Sequence, residues 1–231
     1  MKIFAISDLH LCVSGAKPME IFGEGWTGYL QKIEEDWLKK VSKDDIVLIA
    51  GDLSWAMKDE DAKKDFEYLS RLPGKKIIIR GNHDYWWKSI SKVRSMLPEN
   101  IFALQNDAII IDNVIICGTR GWTIPEGRLA TSENKKLFLR EVQRLEISLK
   151  CAKQLQNNDQ KIFCMIHYPP FGSNQKTSEL TKLIESYGVH EVVYGHLHGQ
   201  NSRRTAKVKI NKINYHLTSC DFLKNQLLQL K

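Results

Sequence analysis

Seven potential metal-binding side chains fall at the ends of five short apolar runs. The runs are residues 2–7, 46–50, 76–80, 161–166 and 191–194. They are followed by Asp8-Leu9-His10, Gly51-Asp52, Gly81-Asn82-His83-Asp84, His167 and Gly195-His196-Leu197-His198. A lone histidine at a strand end is more often a hydrogen-bonded structural residue. Here five of the seven histidines in the chain occupy such places, His190 and His216 being the exceptions, so scatter does not explain them. Imidazole, carboxylate and one amide oxygen together suit Mn, Fe or Zn rather than Ca or Mg, which prefer oxygen throughout. Asp8, His10, Asp52, Asn82, His167, His196 and His198 are too many donors for one ion. With one carboxylate shared, they make two sites of four ligands. Two bridged ions ~3.5–4 Å apart suit in-line displacement at phosphorus, with a bridging hydroxide as nucleophile. Water bound to such a metal ionises near neutral pH.

These residues need a scaffold that brings five strand ends together. The apolar runs read as buried strands, and helix-period segments alternate with them. Thr27 is placed to cap a helix carrying Leu30, Ile33, Trp37, Leu38 and Val41. Ala62, Phe66 and Leu69 mark a second helix. Trp86 or Trp87 with Ile90, Val93 and Leu97 marks a third. A long helix is expected over Ser132–Leu155, with Phe138, Val142, Leu145, Leu149 and Ala152 on its stripe. Residues 108–117 break at Asp112-Asn113 like a hairpin, and residues 206–217 alternate strictly from Ala206. The pattern is that of an α/β chain with a mixed sheet or two packed sheets, read as one domain over residues 1–231. In such folds ligands bind at the carboxyl ends of the strands. Extended backbone would point both side chains of Asp8-Leu9-His10, and of His196-Leu197-His198, the same way, turning each leucine into the core. Gly51, Gly81 and Gly195 would permit tight turns and close approach.

Composition bounds the rest. The chain has 231 residues, 42% hydrophobic and 26% charged, which excludes disordered and fibrous classes. The longest apolar runs are far below the ~20 residues of a membrane helix. The N-terminus reaches an acid at Asp8 with no secretory core before it, and the five cysteines form no CxxC pair. A cytoplasmic protein with reduced, mostly buried thiols is expected. The net charge of +7 points weakly to anionic partners, and a lysine-rich solvated surface explains it as well.

In this order, the DxH, GD, GNHD, H and GHxH blocks resemble the calcineurin-like metallophosphoesterase superfamily over residues 8–198. The resemblance implies two packed mixed β-sheets flanked by helices, a four-layer sandwich. It implies that Asp8, His10, Asp52 and His198 hold one divalent ion. Asp52, Asn82, His167 and His196 would hold the other, making Asp52 the bridge. It implies that His83 is catalytic, facing the substrate phosphate as general acid or hydrogen-bond donor. Asp84 would orient His83 or its loop. The second block, Gly51-Asp52-Leu53-Ser54, lacks the further acid of some branches, and the fourth reads His167-Tyr168-Pro169-Pro170. Neither variation identifies a substrate branch.

The expected activity is hydrolysis of a small intracellular phosphodiester by two transition-metal ions. A nuclease and a phosphomonoesterase are the alternatives, and a non-catalytic scaffold is the least favoured. Nucleic acid is not the favoured partner, and no membrane is expected. Beyond the blocks, packing explains most candidates better than function. Trp86 and Trp87 would pack the helix that follows, although Tyr85-Trp86-Trp87 could stack a base. Trp26 and Trp122 fall in irregular stretches, 11–26 and 118–131, that could form loops over a site. Arg120 and Arg128 could grip phosphate. Cys12 is expected to be buried and inert. Arg203, Arg204, Lys207, Lys209 and Lys212 fit a solvated strand face. Glu60 and Lys64 suit an i,i+4 pair.

Overall fold

The computed structural model describes residues 1–13, 15, 17–199 and 207–231. Its first half alternates β1 (Ile3–Ala5), α1 (Tyr29–Lys40), β2 (Ile46–Ile49), α2 (Asp59–Arg71), β3 (Lys75–Ile79), α3 (Ile90–Arg94) and β4 (Ile101–Leu104). Its second half holds β5 (Ala108–Ile111), β6 (Val114–Thr119), α4 (Ser132–Leu155), β7 (Lys161–Ile166), α5 (Glu179–Ser186), β8 (Glu191–Tyr194), β9 (Lys207–Ile210), β10 (Ile213–Leu217) and β11 (Leu228–Gln229). One sheet has the order β11-β1-β2-β3-β4 and the other β5-β6-β7-β8-β10-β9. The strands of each sheet are parallel except the antiparallel edges β11, β5 and β9.

The parallel strands read as unbroken apolar runs because both their faces are buried. Successive side chains point to opposite faces, so each strand feeds two cores. Ile46, Leu48, Ile77 and Ile79 meet Ile116, Phe163, Met165 and Val193 between the sheets. Val47, Ile49 and Ile78 pack outward against Ile33 and Trp37 of α1 and Phe66 of α2. Cys117, Cys164, Val192 and Tyr194 pack the other way against Leu145 and Leu149 of α4 and Ile184 of α5. The result is helix, sheet, sheet, helix: the expected two mixed sheets flanked by helices.

Several elements differ from expectation. Thr27 does not cap α1; Gly28 stands at its N-cap with φ +60°, and no side chain bonds there. Leu38 is 58% exposed and lies off the buried stripe. The third helix is only five residues long, and Trp86 and Trp87 precede it in a turn. Both are buried in the core, and Trp87 Nε1 donates to Gln105 Oε1 at 2.6 Å. β4 and β11 were not anticipated, the latter being only two residues. Lys64 pairs with Asp61 at 3.2 Å rather than with Glu60. Cys12 is half-buried. The hairpin turn falls where expected, with Asp112 at φ +52°. Lys207 and Lys209 are exposed while Val208 and Ile210 are buried, as alternation requires. Arg203, Arg204 and Ala206 lie outside the described residues. Among those described, no helix is long and apolar enough to cross a membrane.

Candidate metal centre

The two sheets meet at one end. Ser7 N donates to Thr218 O at 2.7 Å, which ties the end of β1 to that of β10. His167 Nδ1 lies 2.9 Å from Ala50 O, which ties the end of β7 to that of β2. All seven expected donor residues and His83 sit at this junction.

Their backbone is not extended. Asp8, His10, Asp52 and His196 have φ of 57°, 45°, 50° and 72°. That left-handed region costs an ordinary residue about 1–2 kcal/mol. Such strain survives where neighbours over-determine it. Here Asp8 N donates to Gly51 O and His10 N to Asp52 O, both at 3.0 Å. His196 N donates to Asp8 Oδ1 at 3.0 Å. The chain turns sharply after each strand and swings the side chain into the gap. The extended-backbone expectation is therefore corrected. His196 and His198 do not act side by side: His196 Nδ1 lies 2.8 Å from Asn82 Oδ1, and His198 Nε2 lies 3.6 Å from Asp8 Oδ1. Leu9 does enter the core; Leu197 is only partly buried against it.

The glycines act through space as much as through φ. A Cβ at Gly81 would meet Asp52 Oδ1 at 2.1 Å, and one at Gly195 would meet Asp8 Oδ2 at 2.3 Å. A Cβ at Gly51, which also has φ +94°, would meet His167 Nδ1 at 2.6 Å. Each glycine makes room for one side chain of the centre.

Asp84 holds the loops rather than His83. Its carboxylate accepts from the main-chain N–H groups of Asp52, Leu53, Ser54 and Gly81 at 2.7–3.1 Å, and from Trp86 Nε1 at 3.2 Å. Five donors on one buried carboxylate lock the turns after β2 and β3 together.

Donor atoms converge in two overlapping groups. Those of Asp8, His10 and His198 lie within 4.8 Å of one another, as do those of Asp8, Asp52 and His167. Asp52 Oδ2 sits between, 4.0 Å from His10 Nε2 and 3.4 Å from His167 Nε2. The tautomer of His167 follows from its partner. Ala50 O can only accept, so Nδ1 carries the proton and Nε2 of the neutral ring keeps a bare lone pair. That lone pair faces Asn82 Oδ1 at 2.7 Å and Asp52 Oδ2 at 3.4 Å, both acceptors. His10 Nδ1 is buried with no hydrogen-bond partner among the described residues. Lone pairs converging without a proton between them suit a cation.

The electrostatics agree. Burial lowers His10 to about 3 and His196 to about 4, and also lowers His167, so these rings are neutral donors at pH 7. Burial would raise Asp52, but the His167 and His10 rings hold it below the usual carboxylate value. His198 is the opposite case. Burial lowers it, yet Asp221, Asp8 and Asp52 together raise it to about 9.

Asp221, in the loop after β10, escaped sequence reasoning. Its Oδ1 lies 3.0 Å from His198 Nδ1 and its Oδ2 accepts from Gly199 N at 2.9 Å. It is a carboxylate just past a sixth strand end. Trp55 carries no sequence signal either. Its ring stacks on His10 at 4.7 Å and lies 4.5 Å from the His83 ring. His83 N donates to Asp52 Oδ1 at 2.7 Å, and its Nδ1 lies 3.3 Å from Tyr85 Oη. The site opens into a cavity of about 550 Å³ walled by His10, His83, His198, Trp26, Trp55, Met19 and Phe22. Of the aromatic candidates, Trp26 thus lines the opening and Tyr85 stands beside His83. Trp122 instead packs near Tyr168, at 5.5 Å between rings. Arg128 lies on an exposed turn.

The family model described as calcineurin-like phosphoesterase matches residues 1–200. No curated protein matches the chain. Among solved structures, a protein of unknown function from Aquifex aeolicus is similar at 14% identity and TM-score 0.51, covering 99% of this chain and 95% of its own. The phosphopantetheinyl hydrolase of Mycobacterium tuberculosis is similar at 12% identity and TM-score 0.59, with the same coverage. At these identities the two structures show a shared fold.

Proposed function

We propose, from the premise that this chain belongs to the calcineurin-like phosphoesterase family of metal-dependent hydrolases, that it cleaves a small phosphodiester using two divalent transition-metal ions. Asp8, His10, Asp52 and His198 would hold one ion; Asp52, Asn82, His167 and His196 would hold the other. The observation that carries the reading is the convergence of His and Asp donors on two adjoining points, with the His167 lone pair facing Asn82 Oδ1 and Asp52 Oδ2. The mixed N/O set suits Mn, Fe or Zn. When bound, the two ions supply a hydroxide nucleophile at neutral pH and neutralise charge on the phosphoryl oxygens.

The chain's own residues do the rest. Asp52, through the main-chain N–H of His83, fixes where the histidine loop sits relative to the donors. Trp55 fills the space behind both His10 and His83, which limits their ring motion. Tyr85 Oη meets His83 Nδ1, which leaves Nε2 to give a proton or hydrogen bond to the leaving oxygen. The apolar wall of Trp26, Met19 and Phe22 offers an ester's organic group a dry place on that side. A diester has such a group on each side of phosphorus, which favours it over a monoester.

Purified protein with added Mn²⁺ should hydrolyse bis(p-nitrophenyl) phosphate faster than p-nitrophenyl phosphate, and a chelator should stop both. Faster monoester cleavage would overturn the diester assignment. No cleavage of either, with metal confirmed bound, would overturn the broader reading for these esters.

Asp221 should behave as a positioning residue for His198. Partners that orient a ligating histidine are typically worth about 10–100-fold in metal affinity. Asp221→Asn should weaken retention of the ion by that amount in competition with a chromogenic chelator, while far-ultraviolet circular dichroism stays unchanged. Equal retention would assign Asp221 to packing alone.

A further inference from the structure

A second cleft, of about 230 Å³, opens beside the centre and is lined by arginines. Arg80 comes from the end of β3, Arg120 from the end of β6, and Arg140 and Arg144 from α4. The one acid among the lining residues, Glu141, is already engaged: it accepts from Thr119 Oγ1 at 3.1 Å, Gly121 N at 3.2 Å and Arg144 at 2.5 Å. Gln105 adds an amide whose oxygen accepts from Trp87 Nε1, and Asn106 Oδ1 lies 3.0 Å from Thr119 Oγ1. Arg80 Nε is buried with no hydrogen-bond partner among the described residues. Among the described residues, no ion pair engages Arg80, Arg120 or Arg140. Burial lowers Arg120 and outweighs Glu141 and Tyr168, which raise it; Arg80 and Arg144 also face it and lower it. The cleft is therefore a donor-lined hollow in which four arginines face one acid, Glu141, and Arg120 lies over the Trp122 ring at 4.9 Å. Planar guanidinium groups match the oxygens of phosphate and carboxylate, and do so best when partly dehydrated.

The cleft adjoins the centre through covalent and hydrogen-bonded neighbours. Arg80 directly precedes Gly81-Asn82. Arg120 O accepts from His167 N at 3.0 Å and Tyr168 N at 3.1 Å. The Tyr168 ring lies 4.2 Å from that of His196. It thus flanks the Asn82, His167 and His196 side, away from the apolar cavity by His10 and His198.

We propose that this cleft is a binding site for an oxyanion group, a phosphoryl or carboxylate, additional to the phosphoester at the centre. The proposal goes beyond the diester reading and is testable without turnover. A phosphoryl group there could belong to the substrate itself or to a free ion. Isothermal titration of chelator-treated, dialysed protein with inorganic pyrophosphate should show binding that weakens with salt. Arg80→Gln and Arg120→Gln should each raise Kd at least tenfold, about the value of one charge-assisted hydrogen bond. Asp52→Asn, which keeps an acceptor for His83 N, should bind pyrophosphate as the parent does. Unchanged binding in both arginine variants, or lost binding in Asp52→Asn, would overturn the proposal. Should either arginine variant fail to fold by circular dichroism, Arg140→Gln on the exposed face of α4 takes its place, with at least a threefold rise expected.

Kinetics separate the two sources. If the oxyanion belongs to the substrate, a p-nitrophenyl diester carrying a further phosphate should show a KM raised at least tenfold by Arg80→Gln. If it is a free ion, pyrophosphate should alter the rate on bis(p-nitrophenyl) phosphate in the parent and not in that variant. Identical KM and identical response to pyrophosphate in parent and variant would overturn the proposal as well.

Discussion

Asp52→Ala should lower kcat/KM for phosphodiester hydrolysis by at least about 10³–10⁴-fold and empty the centre of metal. Asp52 is 1% exposed, and its Oδ2 lies 4.0 Å from His10 Nε2 and 3.4 Å from His167 Nε2. Its loss takes one ligand and a negative charge from both proposed ions at once. Metal ions supply several kcal/mol to such reactions, and each 1.36 kcal/mol is tenfold in rate. The variant also strands the main-chain N–H of His83, now bonded to Oδ1 at 2.7 Å, so some loss of stability should accompany the loss of rate. Asp52→Asn separates the two effects. The amide oxygen can still accept from His83 N, so the fold should hold, while the lost charge should still cost metal. Plasma emission spectrometry of dialysed protein, beside initial rates, reads both. Metal content and rate equal to the parent's in Asp52→Asn would remove Asp52 from the centre.

His196→Ala makes a useful companion because it touches only one group. In the proposed assignment its ring serves one ion: His196 Nδ1 faces Asn82 Oδ1, and the main-chain N–H that bonds Asp8 survives the substitution. Turnover should be lost with one ion retained per chain. Loss of both ions would mean that the two groups assemble only together.

Much of this site is written where strands end. A strand buried on both faces shows as an unbroken apolar run, so an aspartate or histidine just past it has no packing reason to be there. That contrast marks Asp8, Asp52, Asn82, His167, His196 and His198 without any structure. The manner in which they point is not written there. Asp8, His10 and His196 occupy left-handed backbone, which sequence-level reasoning assigns by default to glycine. Only the hydrogen bonds across strand ends impose it. Asp221 is hidden for a different reason: it reaches His198 only because β10 pairs parallel with β8, which brings their ends side by side. The arginine cleft is hidden likewise. Its charges come from β3, β6 and α4, and only the meeting of the two sheets brings them together. Thr27 misleads because the chain turns at Gly28, one residue after the expected cap.

His83→Gln tests the chemistry without disturbing the scaffold. The main-chain N–H that bonds Asp52 remains in the variant, and neither converging donor group among the described residues includes the His83 side chain. Metal content should therefore match the parent's. Proton donation or a hydrogen bond strengthened in the transition state is worth typically about 10²–10⁴-fold, and the loss should fall on kcat with KM little changed. The leaving group decides between the two roles. p-Nitrophenolate departs readily without a proton, so a general acid matters little to it. An alkoxide needs the proton, so a methyl or uridine ester should lose far more than bis(p-nitrophenyl) phosphate when His83 is replaced. Equal losses across leaving groups would assign His83 to binding phosphoryl oxygen instead. A variant as fast as the parent on every ester would take it out of the reaction, leaving Trp55 and Tyr85, which flank its ring, as wall rather than support.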